Sequence, residues 1–286
     1  RFMPDGTPDP TFSNSIFFDD VLDYVRNLDL QPDGKILAAG GIRHGERLNP
    51  DGSHDVTMNS FDGPGNLYDL PDGKLLGFTD RTQRFSSEGF LEAEPTRFNF
   101  NGFPSKAAIL PDGKSIAVGT FTEVNFSAQR GRIARLNADA TFDASFDPPG
   151  EEANNRINDV LLQPDGKIVI GGDFTSFSGN SNFKYLARLN ADGAIDPSFN
   201  PILNGPVTTF RLQPDGKILF SGTMTTVNGV TRNSMARVNP NGTLDPSFSL
   251  GTGADGPIRT IDIQADGNIL IGGDFTEINN ISRITV

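Results

Sequence analysis

Cysteine is absent from the 286 residues, which excludes disulfides, cysteine-held zinc and thiol nucleophiles and carries no information on redox compartment. Positive charge is scarce. The 24 Lys and Arg face 36 Asp and Glu for a net charge of −12, so phosphate backbones and anionic bilayers are repelled at long range and no nucleic-acid partner is expected. No run of about 18 apolar residues occurs, so no transmembrane segment is expected. The n-region and h-region of a signal peptide are missing as well, although the chain starts without Met and inside a repeat, so one could have been removed upstream. No Gly-x-Ser-x-Gly elbow, zinc-binding helix or dinucleotide fingerprint is present, and no stretch has the length or periodicity of a helix bundle.

What the chain has is glycine (32), proline (20) and one turn used six times. Pro32-Asp33-Gly34, Pro71-Asp72-Gly73, Pro111-Asp112-Gly113, Pro164-Asp165-Gly166, Pro214-Asp215-Gly216 and Ala265-Asp266-Gly267 have their aspartates 39, 40, 53, 50 and 51 residues apart. That is the period of a four-stranded propeller blade. Proline presets φ, Asp caps the turn and Gly accepts positive φ, so each is a hairpin between apolar strands. The expected fold is all-β: a six-bladed β-propeller of four-stranded antiparallel blades, one domain over 1–286.

Blade five shows the unit. Val207 to Gln213 and Lys217 to Gly222 flank the Pro-Asp-Gly turn, Thr223 to Asn233 is a loop, and Ser234 to Asn239 and Thr243 to Phe248 are the third and fourth strands. Five and three residues before each turn Asp stand Leu28, Leu30, Leu67, Asp69, Ala107, Ile109, Val160, Leu162, Phe210, Leu212, Ile261 and Ile263. All but Asp69 are apolar, so this column is expected to pack between blades. Seven residues before, Arg26, Gly65, Ser105, Asn158, Thr208 and Arg259 follow no rule. The N-terminal residues 1–12 align with the third-to-fourth-strand segment starting at Arg237, whereas the chain ends inside the third strand of blade six. The two ends are therefore expected to complete one blade and close the ring.

With Leu-Gln-Pro-Asp-Gly-Lys-Ile, Gly-Gly-Asp-Phe-Thr, Ala-Arg-Leu-Asn-Ala-Asp-Gly and Asp-Pro-Ser-Phe in one period, the chain resembles the delta-60 repeat family, a β-propeller family of unknown function. The match is strong over 107–286 and the first dozen residues and weaker over 13–106. The resemblance implies an extracellular or cell-surface location, as a module of a larger bacterial protein, and supplies no catalytic residues.

A residue demanded in every blade serves the blade, whereas one found once is free for other work. The turn aspartates, Arg135, Arg188, Arg237 and the Asp of Asp-Pro are read as structural, with the Arg expected to pair with a neighbouring carboxylate such as Asp173. The loop between second and third strands is short in blades one and two, which predicts a notch on the loop face. His44, in that loop, stands near Arg43 and Glu46. With Tyr24, Arg26, Asn66, Lys106, Arg156 and Arg259 these are the candidate ligand-binding residues of the loop face. The plain alternative is that His44 and His54 are surface histidines in a divergent blade. No cofactor is expected. The acidic crossover Glu151 to Asn155 is the best place for a weak Ca²⁺. The favoured function is a non-catalytic binding or structural module whose ligand is a glycan or a protein. A polysaccharide lyase or hydrolase and a subunit of an extracellular filament are the alternatives.

Overall fold

The computed structural model describes residues 3, 7–13, 25–40, 44–59, 65–78, 81–92, 99–125, 128–146, 148 and 152–282, with the backbone alone for Arg26, His44, Ala128 and Gln129. It divides into two units. One holds Arg1–Phe100, Pro111–Lys114 and Asn137–Thr141; the other holds Asn101–Leu110, Ser115–Leu136 and Phe142–Val286. Among the described residues there is no helix, and every strand pairing is antiparallel.

In the first unit, repeat one is a sheet of Val25–Leu30, Ile36–Gly40 and His44–Leu48, and repeat two one of Asn66–Asp69, Leu75–Phe78 and Thr82–Phe85. In the second unit, repeat three has Pro104–Ile109, Ser115–Gly119 and Ile133–Leu136, repeat four Ile157–Leu162, Ile168–Gly172 and Leu186–Leu189, and repeat five Val207–Leu212, Ile218–Gly222 and Met235–Val238. Repeat six shows Ile258–Ile263 and Ile269–Gly273. In repeats one to five the second strand is central, and sequence order follows from one turn. In all six repeats the turn Asp accepts the backbone N–H two residues on, at 3.0–3.1 Å, and its Gly sits at φ between 79° and 86°, where an L side chain is strained.

The expected fourth strands are not strands. Each is a single bridge, Leu48 to His54, Phe85 to Leu91, Leu136 to Phe142, Leu189 to Ile195 and Val238 to Leu244. In four of the five repeats the next residue is Asp55, Asp143, Asp196 or Asp245. Its carboxylate takes both the N–H and the hydroxyl of the Ser or Thr two residues on. That Asx turn offers the backbone a local partner and ends the ladder after one bridge. The loops after the second strands carry small hairpins of their own, Glu123–Val124 with Ala128–Gln129, Thr226–Val227 with Val230–Thr231 and Glu277–Ile278 with Ile281–Ser282.

Each unit has its own core. Leu37, Ala39, Met58, Leu67, Leu75 and Phe85 form one in the first unit. In the second, Phe210 of repeat five packs with Val169 and Leu186 of repeat four, and Ile258 and Ile261 of repeat six with Leu219 and Met235 of repeat five. The inner column therefore packs on the preceding repeat. In repeat one the expectation fails: Leu28 and Leu30 are 61% and 70% exposed.

Asp69, the polar exception in that column, is matched by Gln31 of repeat one, whose Nε2 donates to its Oδ1 at 2.6 Å. Burial raises its pKa, followed by repulsion from Asp29 and Asp33, against the lowering bond from Gln31. Between the usual Asp range and the raised value the native state holds more protons than the unfolded one, so stability falls as pH rises through that window. Asp69→Asn keeps the acceptor and removes the charge. It is expected to stabilise the protein at pH 7, modestly because the group is partly solvated, a gain that vanishes in urea unfolding at pH 3; equal stabilities at pH 7 would refute the assignment.

Candidate functional site

The recurrent charged residues form a clamp. Arginine Nε of the third strand donates to the Asp eight residues on: Arg47 to Asp55 at 2.6 Å, Arg135 to Asp143 at 2.8 Å, Arg188 to Asp196 and Arg237 to Asp245 at 2.9 Å. The hairpin between them places the two side by side, and the same carboxylate takes a Lys from the first turn, Lys35, Lys167 or Lys217. Asp173 is not the partner, as the sequence suggested; it accepts from Asn158 Nδ2 at 3.0 Å. The guanidinium then lies 4.5–5.0 Å over Phe146, Phe199 or Phe248, a cation–π contact. Its Nη1 reaches a turn carbonyl of the following repeat, Arg47 to Ser87, Arg135 to Ala191 and Arg188 to Pro240.

Burial, the largest single effect, pushes Asp55 and Asp196 upward. The hydrogen bonds from Thr57, Lys35 and Arg47, and from Lys167 and Ser198 with the charge of Arg188, outweigh it and hold both carboxyls well below the usual range. Asp245 is held low first by Ser247.

The loop-face ends of the repeats are organised by two further rules. The residue seven before the turn Asp pairs with the one after the last glycine of the second strand: Asn158 with Asp173, and Arg259 with Asp274. A crossover Asn or Asp clips the loop that follows the second strand. Asn101, Asn154, Asn204 and Asp255 each accept two successive N–H groups, beginning at Thr122, Thr175, Thr225 and Thr276. A buried carboxylate missed from the sequence, Asp159, ties repeat four to five by accepting Thr209 Oγ1 at 2.8 Å and Phe210 N at 2.9 Å. Asn27 of repeat one does the same toward Leu67 N at 3.4 Å. An Asp inside an apolar strand was the available signal; in the structure it sits at a register shift, Ile157/Asp159.

The loop-face candidates scatter. The connections after the second strands span 41–43 and 79–81 in repeats one and two, against 120–132, 173–185 and 223–234 in repeats three to five. Tyr24 and Arg43 lie outside the described residues, as do the side chains of Arg26 and His44. His44 is not in a loop: it opens a strand, paired with Gly40. His54 lies at the bridge to Leu48. Glu46 is buried in the middle of the same strand, which corrects its placing in a surface notch. Asn66 is half-buried in its strand. Arg259 is committed to Asp274, whose bond raises the Arg pKa while the Arg lowers that of the Asp. Among the described candidates, Arg156 reaches the strand that carries Lys106: its Nε donates to Ser105 Oγ at 3.3 Å, one residue before half-buried Lys106. In the acidic crossover, Glu152 is buried and accepts the N–H of Gly131, so it is a structural link. Among the described residues no group of three His, Asp or Glu is placed to hold a metal.

Four segments, 110–146, 163–199, 213–248 and 264–286, match a known domain profile. The chain is similar there to the DUF5122 β-propeller, a domain of unknown function. The matched segments coincide with the clamp-bearing halves of repeats three to five and the second strand of repeat six. Among solved structures, the WD40 β-propeller domain of Doa1 is similar over 85% of this chain and 73% of its own, at 14% identity and a TM-score of 0.53. A gluconolactonase from Xanthomonas campestris is similar over 85% and 80%, at 12% identity and 0.50. An extracellular domain from B. thetaiotaomicron is similar over 90% of this chain and 34% of its own, at 12% identity and 0.53. These likenesses establish a propeller-type fold and nothing of activity. No curated protein matches the sequence. No helix among the described residues is long and apolar enough to cross a membrane.

Proposed function

We propose that the chain is a six-bladed propeller serving as a non-catalytic binding or structural module of a larger secreted or surface protein, with a glycan or protein ligand at the loop face. The observation that carries this reading is how the charged side chains are used. The recurrent Arg, Lys and Asp of the described repeats are consumed in the clamp, and Glu46, the carboxylate among the loop-face candidates, is buried. Arg156, exposed on its crossover beside Ser105 and Lys106, is the side chain best placed to meet a ligand.

Closure of the ring is part of the proposal. The bonds that end a repeat recur near the N-terminus: Met3 N donates to Thr7 O at 2.8 Å as Asn190 does to Ala194, and Asp9 takes Thr11 N and Oγ1. Phe12 lies against Gly52 of repeat one as Phe199 of repeat four lies against Gly242 of repeat five. A half-repeat at the N-terminus and a sixth repeat with first and second strands are complementary pieces, and exposed Leu28, Leu30 and Leu270 are the apolar positions that such closure would cover.

The test is a glycan array with and without calcium, run beside Arg156→Ala and Lys106→Ala. Binding to a defined glycan that weakens about tenfold or more in either variant is the expected result; turnover of a polysaccharide by the purified chain would replace this reading with the enzyme. A monomer near 31 kDa in light scattering is expected from closure within one chain, and a ladder of multimers would point to strand exchange in a filament.

A further inference from the structure

Arg84 breaks the clamp. In repeats one, three and four the clamp Arg sends Nη1 to a turn carbonyl of the next repeat. Arg84 instead donates from Nη2 to Asp72 Oδ2 at 2.7 Å and pairs through Nε with Glu92 at 3.3 Å. Glu92 stands where the other repeats have Asp, and Leu70 where repeats four and five have Gln163 and Gln213, whose Oε1 accept from the clamp Arg. Ala138 is the counterpart of Ala191 and Pro240, and among the described residues its carbonyl accepts no hydrogen bond. Both ends of the missing bond line a cavity of about 290 Å³, walled also by Leu70, Pro71, Pro111 and Asp112; every lining residue belongs to the first unit.

The polar inventory of this cavity is mixed. The guanidinium is already paired with two carboxylates, so an anion gains little and would face Asp72 and Asp112; an ammonium group could pair with Asp112 but, having no acceptor, would leave Arg84 Nη1 unsatisfied. The lining offers a donor, Arg84 Nη1, and two acceptors, the Ala138 carbonyl and Asp112. Two pyrrolidine rings and a Leu side chain give apolar surface between them, in a volume near the lower end of ligand pockets. A neutral ring bearing hydroxyls, each both donor and acceptor, satisfies all of these groups at once.

We propose that this cavity is a subsite for one neutral sugar ring, with neighbouring hydroxyls bridging Arg84 Nη1 and the Ala138 carbonyl. It lies among the turns and shares no residue with the loop-face reading above. The test is saturation-transfer NMR of the full chain with methyl glycosides of glucose, galactose, mannose, xylose and N-acetylglucosamine. At least one is expected to show transfer that falls about tenfold or more in Arg84→Gln and in Ala138→Leu, and persists in Arg156→Ala. Ala138 is exposed, so its Leu variant fills the cavity without disturbing the core and keeps the test decisive if Arg84→Gln fails to fold. Absence of transfer from all five glycosides, or transfer that survives both cavity variants, overturns the proposal; loss in Arg156→Ala alone assigns the sugar to the loop face.

Discussion

Asp196→Ala is expected to lower the unfolding free energy by about 3–5 kcal/mol, far more than loss of a turn aspartate such as Asp165, which should cost about 0.5–1.5 kcal/mol. The two residues differ in what they leave behind. Asp165 is exposed and its Oδ1 accepts one backbone N–H, which water can satisfy. Asp196 accepts from Arg188 Nε, Lys167 Nζ, Ser198 N and Ser198 Oγ, and the Arg188 side chain is only 6% exposed. Without the carboxylate a buried guanidinium lies over Phe199 and against Pro240 with no countercharge. Asp196→Asn separates the contributions: it keeps an acceptor for Ser198, loses the charge, and should fall between the two. Urea unfolding followed by circular dichroism gives all three values. A loss below 1 kcal/mol for Asp196→Ala would mean that the clamp is ornamental and that inter-repeat stability rests on apolar packing alone.

The clamp also marks how far the sequence could be read. The turn, the period and the apolar columns follow from residue type and spacing, because each depends on local φ preference or on period-2 alternation. The separation of structural from candidate residues by repetition also worked for Arg188 and Asp196. Their partnership was harder to see, since it needs the hairpin that sets residues eight apart side by side, and repeat one hides it: Asp55-Val56-Thr57 lacks the Pro and Phe of Asp-Pro-Ser-Phe. The rule seven residues before the turn was invisible because different residue types fill it. Asn158 and Arg259 look unrelated until both are found on an Asp after the second strand. At the loop face, residue type could not tell that Glu46 is buried, because on strands with both faces covered alternation no longer distinguishes inside from outside. The Arg84 cavity had a signal, Leu70 and Glu92 in place of Gln and Asp, which is readable only once the bond made by the other arginines is known.

Acidification from pH 5 to pH 2 is expected to unfold the protein or to lower its melting temperature steeply, because several clamp carboxylates share one sign of shift. Asp55, Asp196 and Asp245 all have folded pKa values below their unfolded ones. The unfolded state therefore binds protons first as pH falls, so the stability they contribute is complete above the unfolded Asp pKa and drains away below it. Each of these carboxylates adds stability only above its unfolded pKa, and several of them lose it over the same pH interval, against the small net stability of an ordinary domain. Asp69 acts in the opposite direction, gaining on protonation, but as a single group it cannot offset the clamp. Asp196→Ala supplies the internal check: having no carboxylate to titrate at that clamp, its deficit relative to wild type should be largest at pH 6–7 and shrink toward pH 2. Melting curves of both proteins across that range decide it. A wild-type melting temperature that stays flat from pH 5 to 2, or a deficit that does not narrow, would show that the buried ion pairs fix the geometry of the repeats without adding to their stability, the behaviour known for buried pairs whose desolvation cancels their attraction.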